Sequence, residues 1–386
     1  MKRILIIHNK YKIFGGEDSN ISEEIDLLKK HYDVEYLEYK NSDKFTIYDL
    51  FSFINNSNRL ANKKLEKVID EFNPDIAYVH NTWFKINLGV FKVLERKKVK
   101  VLIKLHNYRY ECCRYFLLKK HLKRRLLCGA CGLKRNRGSV FNKFDKESYI
   151  KSFLLINYSR KHFNILKNNQ VTLLVMNEFQ KNFLNEIGIR KEKIEIYPNP
   201  IKLSKNGELG YKIKSDYVIF AGRLSDAKGI EELINAWISA DKEGLSLKII
   251  GEGPLEKKMK EKFMSNDIKF LGQIEHKETL EYIKNARAIV TGTKMYEGQP
   301  RLLCEASSYG VPSIYPSFGG MDEFFPNDYK LSFKQYDYSE MKKKISKLNN
   351  NELMKNESSR VFNHISKKLN EDELINNFQK IIENDS

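Results

Sequence analysis

Cysteine is scarce in this chain. The five in 386 residues, Cys112, Cys113, Cys128, Cys131 and Cys304, form no paired framework, which excludes a small disulfide scaffold and fits a reducing cytoplasm. Long apolar runs are missing as well: no stretch approaches the roughly 18 consecutive apolar residues of a membrane helix. The run inside MKRILIIHNK is too short for a signal peptide, so none is expected. Glycine (20) and proline (8) are too few for a collagen-like repeat, and 41% hydrophobic with 12% aromatic residues excludes a disordered chain. No Gly-x-Gly-x-x-Gly occurs, so the dinucleotide fingerprint is absent.

What is present suffices for more than one core. At about 150 residues per domain the length suggests two. Charge is spread unevenly. Lys and Arg number 68 against 50 acidic residues, a formal +18. Residues 1–200 hold 39 basic and 22 acidic groups, whereas residues 201–386 hold 29 and 28. From Lys92 to Arg137, 16 basic residues meet only Glu95 and Glu111, so this one stretch supplies +14. An excess so local needs a partner or a structural reason.

Hydrophobic periodicity alternates along the chain. KRILIIH (2–8) reads as a buried strand, then comes a loop with Gly15-Gly16 and helical spacing over 19–30. VEYLEY (34–39) is strand-like and is followed by a polar, Asn-rich insertion and a helix around 59–72. IAYVH (76–80), VKVLIKLH (99–106), TLLVM (172–176) and KIEIYPNP (193–200) are further strands, and a linker runs from Pro198 toward Gly210. The pattern then restarts with strands at 216–222, 245–250, 267–272, 286–293 and 311–316, and helices at 230–240, 276–286 and 301–309. Helices over 342–348 and 371–382 close the chain. Such alternation predicts βαβ units and two α/β domains with parallel sheets, which bind ligands beyond their strand C-termini.

Two constellations carry chemistry. AGRLSDAKGIEEL places Gly222-Arg223 and Lys228-Gly229 between a strand and a helix. Two cations, close backbone approach at glycine and a helix N-terminus suit a diphosphate, although an ordinary surface loop would share the pattern. EGQPRLLCE sets Glu297 ahead of a helix and Glu305 about two turns into it. At 1.5 Å per residue the two acids would be about 12 Å apart, too far to flank one bond but suited to two parts of one extended ligand rich in hydroxyls. Surface charge is the alternative.

GRLSDAKG, GEGPL and EGQPRLLCEASSYGVPSI resemble the donor-binding half of a family-4 retaining glycosyltransferase of the GT-B fold. The family's Glu-x7-Glu is matched by Glu297 and Glu305, and its Gly-Val-Pro by Gly310-Val311-Pro312. IHNKYKIFGGED, VHNTWF (79–84), LHNYRY (105–110) and EKIEIYPNP are similar to its amino-terminal half, with Pro200 in place of the usual glycine. The resemblance implies an α/β GT-B chain in which two Rossmann-like, doubly wound domains face each other across a cleft. An acceptor-binding domain would span 1–203, with a helix over 368–386 packing back on it, and a donor-binding domain 204–367.

By the same resemblance, Glu305 would hold the ribose hydroxyls of a nucleotide sugar, a UDP-sugar first. Arg223 and Lys228 would grip its diphosphate. Glu297 and the backbone of Gly298, Gln299, Pro300, Arg301 and Leu302 would orient the transferred hexose or N-acetylhexosamine. His106 matches the active-site histidine, and Gly15 and Gly16 would approach phosphates and acceptor. Gln299 stands where an aromatic residue is common, and Arg301 adds a cation near the sugar; both could reshape donor choice. No Asp-x-Asp occurs and two cations can serve the diphosphate, so no metal or other cofactor is expected. His80 is expected to be structural, and Trp83 and Tyr108 to pack in the core. A GT-B hydrolase, epimerase or phosphorylase, or a silent sugar-binding subunit, is the alternative.

Leucines and cations interleave over 117–127, giving an apolar and a cationic side at helical spacing. The basic region 92–137 is therefore expected to meet an anionic membrane. A polyprenyl-diphosphate-linked or other glycan acceptor at the cytoplasmic face, as in capsule, O-antigen or related bacterial surface-glycan synthesis, would suit it. A solvated insertion is the plainer alternative. No helix-turn-helix, zinc-finger or RNP-like pattern accompanies the charge, so nucleic acid is not expected. Cys128-x2-Cys131 has metal-ligand spacing, but adjacent Cys112 and Cys113 are poor partners for a tetrahedral site, and buried thiols are expected.

Overall fold

The computed structural model describes residues 1–10, 16–41, 46–83, 85–106, 108, 149–168, 170–203 and 215–384. They form two compact units, one of Met1–Pro200 with Glu371–Ser386, the other of Ile201–Asn370. The basic run from Arg109 onward, Cys112, Cys113, Cys128, Cys131 and Gly15 lie outside the described residues.

The first unit holds β1 (Arg3–Lys10), β2 (Asp33–Lys40), β3 (Ile76–Asn81), β4 (Lys100–Lys104), β5 (Val171–Val175) and β6 (Ile194–Ile196). They form one sheet in the order β2-β1-β3-β4-β5-β6, with every pairing parallel. Helices cover both faces of such a sheet, which explains continuous apolar runs instead of alternation. Ile4, Leu5, Ile6 and Ile7 are all fully buried. The second unit holds β7 (Tyr217–Ala221), β8 (Ser246–Ile250), β9 (Ile268–Gly272), β10 (Ala288–Val290), β11 (Ser313–Ser317) and β12 (Ser332–Lys334). Its sheet runs β12-β11-β10-β7-β8-β9, again parallel throughout.

The helix Glu371–Asn384 belongs to the first unit although the second lies between them in sequence. Its Leu374, Ile375, Phe378, Ile381 and Ile382 join Ile4, Ile6, Leu27, Leu28 and Tyr78 in one core cluster. Each such side chain contributes about 1.5–3 kcal/mol when fully buried. Lys2 and Lys100 both donate to the Ile382 carbonyl, at 3.2 and 3.0 Å, where the helix dipole is negative. Phe378 meets the rings of Tyr32, Tyr78 and Tyr197 at 5.7, 5.7 and 5.2 Å. A Phe378→Ala variant should lose about 3–5 kcal/mol, read as an earlier urea midpoint for the first unit.

Four helices depart from the sequence reading: Ile47–Asn55, Tyr149–Lys167, Glu256–Lys262 and Asn351–Lys368. The polar segment after β2 contains the helix Ile47–Asn55, started by a reciprocal cap between Thr46 and Asp49. The helix Asn351–Lys368 was not expected: its buried stripe passes through Glu357 and Ser358 between Met354 and Val361, which breaks the apolar period.

Candidate functional site

Each sheet reverses its strand order once, between β1 and β3 in the first unit and between β7 and β10 in the second. Loops leave such neighbouring strands in opposite directions, so a crevice opens beyond their C-terminal ends. Residues singled out from sequence fall at both places.

In the second unit, β7 runs into Gly222. The Gly222 and Leu224 N–H groups donate to the Ile250 and Glu252 carbonyls at 3.0 and 2.9 Å. Between these anchors Arg223 is exposed and has no side-chain partner among the described residues. A single turn, Asp226–Lys228, leads to Gly229 at φ +63°. A Cβ on Gly229 would lie 2.0 Å from the Gly292 carbonyl oxygen, so only glycine permits this approach between the β7 and β10 loops.

That approach brings the two loops' side chains together. Lys228 Nζ lies 2.6 Å from Glu297 Oε1, which Thr293 also faces at 3.4 Å. Lys294 reaches Asp226 at 2.8 Å and Glu232 at 2.6 Å. Burial works against its charge, but the hydrogen bonds it donates to these two acids and their negative charge outweigh that and raise its pKa.

Glu305 lies in the second turn of the helix Arg301–Ser308 and is 4% exposed. Its Oε1 accepts from Arg301 Nε at 2.8 Å and lies 3.2 Å from His276 Nε2. Its Oε2 is buried with no hydrogen-bond partner among the described residues. Arg301 is thus turned to Glu305 and 9% exposed. Pro300 precedes the helix without a side-chain cap, Gly298 is buried, and Gln299 and Leu302 are half-buried. Cys304 is fully buried, which pushes its thiol well up.

In the first unit Gly16 opens the helix Gly16–Leu28 that follows β1. His106 stands two residues past β4, and its Nε2 is 2.9 Å from His80 Nδ1. His80 is the extra residue of β3: Val79 pairs with Ile7 and Asn81 with His8. A bulge re-aims a side chain, here toward His106 and the ring of Tyr78 at 4.3 Å. Beneath the pair, Glu24 Oε1 accepts from Tyr78 at 2.6 Å and from Lys104 at 3.5 Å, both residues of the ion pair having fully buried side chains. Lys104 also donates to the Tyr197 and Pro198 carbonyls at 2.6 and 3.4 Å.

Burial raises the Glu24 carboxyl against the pull of Lys104 and Tyr78, and lowers Lys104 to about 8 against the pull of Glu24. Burial, then neighbouring histidines and Lys104, hold His80 and His106 well below 6.5. The folded chain therefore disfavours the protonated form of both. The unfolded chain takes up their protons below about 6.5, so their contribution is complete above that pH and is lost on acidification. The unfolding free energy from urea titrations at pH 7, 6 and 5 should fall by up to about 1.4 kcal/mol per histidine per pH unit below pH 6, and a His80→Asn variant should have the shallower slope. Equal slopes would count against a buried neutral pair.

Trp83 and Tyr108 pack among rings: Trp83 is edge-on to Phe53 and Tyr158 at 5.5 and 4.8 Å, and Tyr108 to Phe183 at 5.5 Å. Sequence reasoning did not single out Glu24, Lys104, Lys294 or His276. A lysine inside the apolar run VLIKL was the one available signal. Among the described residues no group of three or more His, Cys, Asp or Glu is arranged to hold a metal ion.

The fold agrees with that of known proteins. Residues 205–369 match the family model for Glycosyl transferases group 1. HepE of Anabaena, solved with UDP and glucose, superposes with a TM-score of 0.64 at 14% identity, over 100% of this chain and 99% of that one. The two Rossmann-like units are those of the GT-B fold. The chain thus has the GT-B fold, and its second unit is similar to the glycosyl transferases of group 1. The chain is similar to the uncharacterized glycosyltransferase MJ1069 of Methanocaldococcus jannaschii, 25% identical over 64% of this chain and 66% of that protein. It is also similar to the amylovoran biosynthesis glycosyltransferase AmsD of Erwinia amylovora, 30% identical over 26% of this chain and 29% of that one. The matched stretches thus span two thirds or less of these relatives' own lengths.

Proposed function

We propose that the protein is a retaining glycosyltransferase that moves a hexose or N-acetylhexosamine from a nucleotide sugar to a glycan acceptor. The observation that carries this is the β7/β10 switch point, whose loops carry an exposed Arg223 and the Lys228–Glu297 pair, followed by a helix whose Glu305 has one buried oxygen without a partner among the described residues. HepE's complex with UDP and glucose supports a UDP-sugar donor. Arg223 and Lys228 take the diphosphate, Glu305 the ribose hydroxyls, and Glu297 with the 298–302 backbone the transferred sugar. Gly15, Gly16 and His106 of the first unit are assigned to sugar and acceptor. The acceptor hydroxyl attacks the anomeric carbon on the face the diphosphate leaves, the carbon–oxygen bond to phosphate breaks, and the departing phosphate oxygen takes the hydroxyl proton. Configuration is then kept. Cations stabilise the charge on the leaving group, a role that fixed protein charges fill without a metal.

A lipid-linked acceptor for bacterial surface glycan, met at the inner face of the plasma membrane through region 92–137, completes the proposal. The leucine–cation interleaving of 117–127 supports it, as does AmsD's role in amylovoran biosynthesis. Among the described residues no helix is long and apolar enough to cross a membrane. The test is nucleotide release from UDP-, GDP-, dTDP- and ADP-sugars, with and without membrane lipid extract. Release from one donor that needs the extract is the expected result. Release without any acceptor would assign a hydrolase, and no turnover of any donor would overturn the transferase.

A further inference from the structure

Glu305 is held asymmetrically. Two groups face one oxygen: Arg301 Nε, one turn earlier on the same helix, donates to it at 2.8 Å, and His276 Nε2, from the first residue of the helix His276–Asn285, lies 3.2 Å from it. The other oxygen, Oε2, is buried and unpartnered among the described residues. A carboxylate is an acceptor only, with room for about four hydrogen bonds, so a buried oxygen without a donor is a costly arrangement unless something supplies one.

The terminal torsion of a glutamate is broad and two-fold, so its oxygens exchange readily unless they are fixed. Arg301 shares a helix with Glu305 and by itself restrains only one edge of the carboxylate. His276 approaches from a different element and closes the second direction on the same oxygen. Together they decide which oxygen remains for a ligand. His276 keeps 37% of its side chain exposed, so removing it opens no core.

We propose that His276 is a positioning residue for the donor nucleoside: with Arg301 it locks Glu305 so that Oε2 alone meets one of the two vicinal hydroxyls of a ribose. The inference rests on the donor-site reading given above. It predicts a dependence on His276 that exists only while the ribose hydroxyl is present to use the oriented oxygen.

Calorimetric titration of the full chain with UDP, 2′-deoxy-UDP and 3′-deoxy-UDP tests it, with GDP and ADP in parallel. His276→Ala should weaken UDP binding about ten-fold, the scale of one hydrogen bond to a charged group. His276→Gln, which keeps an N–H donor, should recover most of that. For the deoxy ligand that lacks the hydroxyl bound by Oε2, wild type and His276→Ala should agree within about two-fold. Melting curves should coincide for all three proteins. Unchanged UDP affinity in His276→Ala, or an equal loss with every ligand, overturns the positioning role while the donor site stands. Wild-type protein that binds none of the ribonucleoside diphosphates overturns both.

Discussion

Replacing Arg223 by alanine should lower turnover of the preferred donor about 100- to 1,000-fold, the usual loss when one preorganised donor to a developing anion is removed. The reason lies in how the loop distributes its charges. Lys228 is tied to Glu297 at 2.6 Å and Lys294 to Asp226 and Glu232, whereas Arg223 is exposed and uncommitted. Its backbone neighbours are pinned to the end of β8, so the guanidinium is delivered to the switch point without the side chain being packed. Removing it should therefore leave the melting temperature nearly unchanged, within about 0.5 kcal/mol of stability. Arg223→Lys should recover only part of the rate, because an ammonium offers a point charge instead of a two-pronged fork. A large fall in stability, or a loss below about ten-fold, would show that Arg223 serves the fold or nothing.

The second large effect concerns stability. Glu24 and Lys104 are both fully buried, 3.5 Å apart, and Lys104 has two further acceptors in Tyr197 and Pro198. Lys104→Met strands the carboxylate with Tyr78 as its remaining close donor, and Glu24→Gln strands the ammonium. Each single change should cost about 3–5 kcal/mol. The double variant should cost clearly less than the sum, by at least about 1 kcal/mol, since neither charge is then left unpaired. Urea titration of all four proteins measures the cycle. Strict additivity would mean the pair is not coupled in solution.

Much of this architecture was legible. KRILIIH at 2–8 became β1, the restart at DYVIFAG became β7, and AGRLSDAKG fell at the strand-order reversal. These are short-range signals, in which apolar runs, glycine and helix starts lie within a few residues of one another. What escaped was long-range. Glu24 and Lys104 are 80 residues apart, and the lysine inside VLIKL does not by itself point to its partner. His276 sits in an unremarkable polar helix start, and its meaning comes from Glu305, 29 positions later on another helix. His80 read as structural because a bulge cannot be seen in one strand's sequence; it is defined by the register of the neighbour. The helix Asn351–Lys368 hid its period by burying Ser358 against the Gly310 carbonyl at 2.6 Å, a polar contact where a leucine would have revealed the stripe.

The closing helix has a consequence for the order of events during synthesis. Ile4, Ile6, Leu27, Leu28 and Tyr78 belong to a core that includes Leu374 through Ile382. A ribosome moving along the message has finished every residue of the second unit before it makes those partners. The second unit is thus free to fold on the way, while the older half of the first waits with an open apolar surface. Premature termination anywhere before Leu374 therefore does more than shorten the protein. It leaves the sheet that was made first without its lid, and a nascent chain in that state is the one that chaperones and proteases would meet.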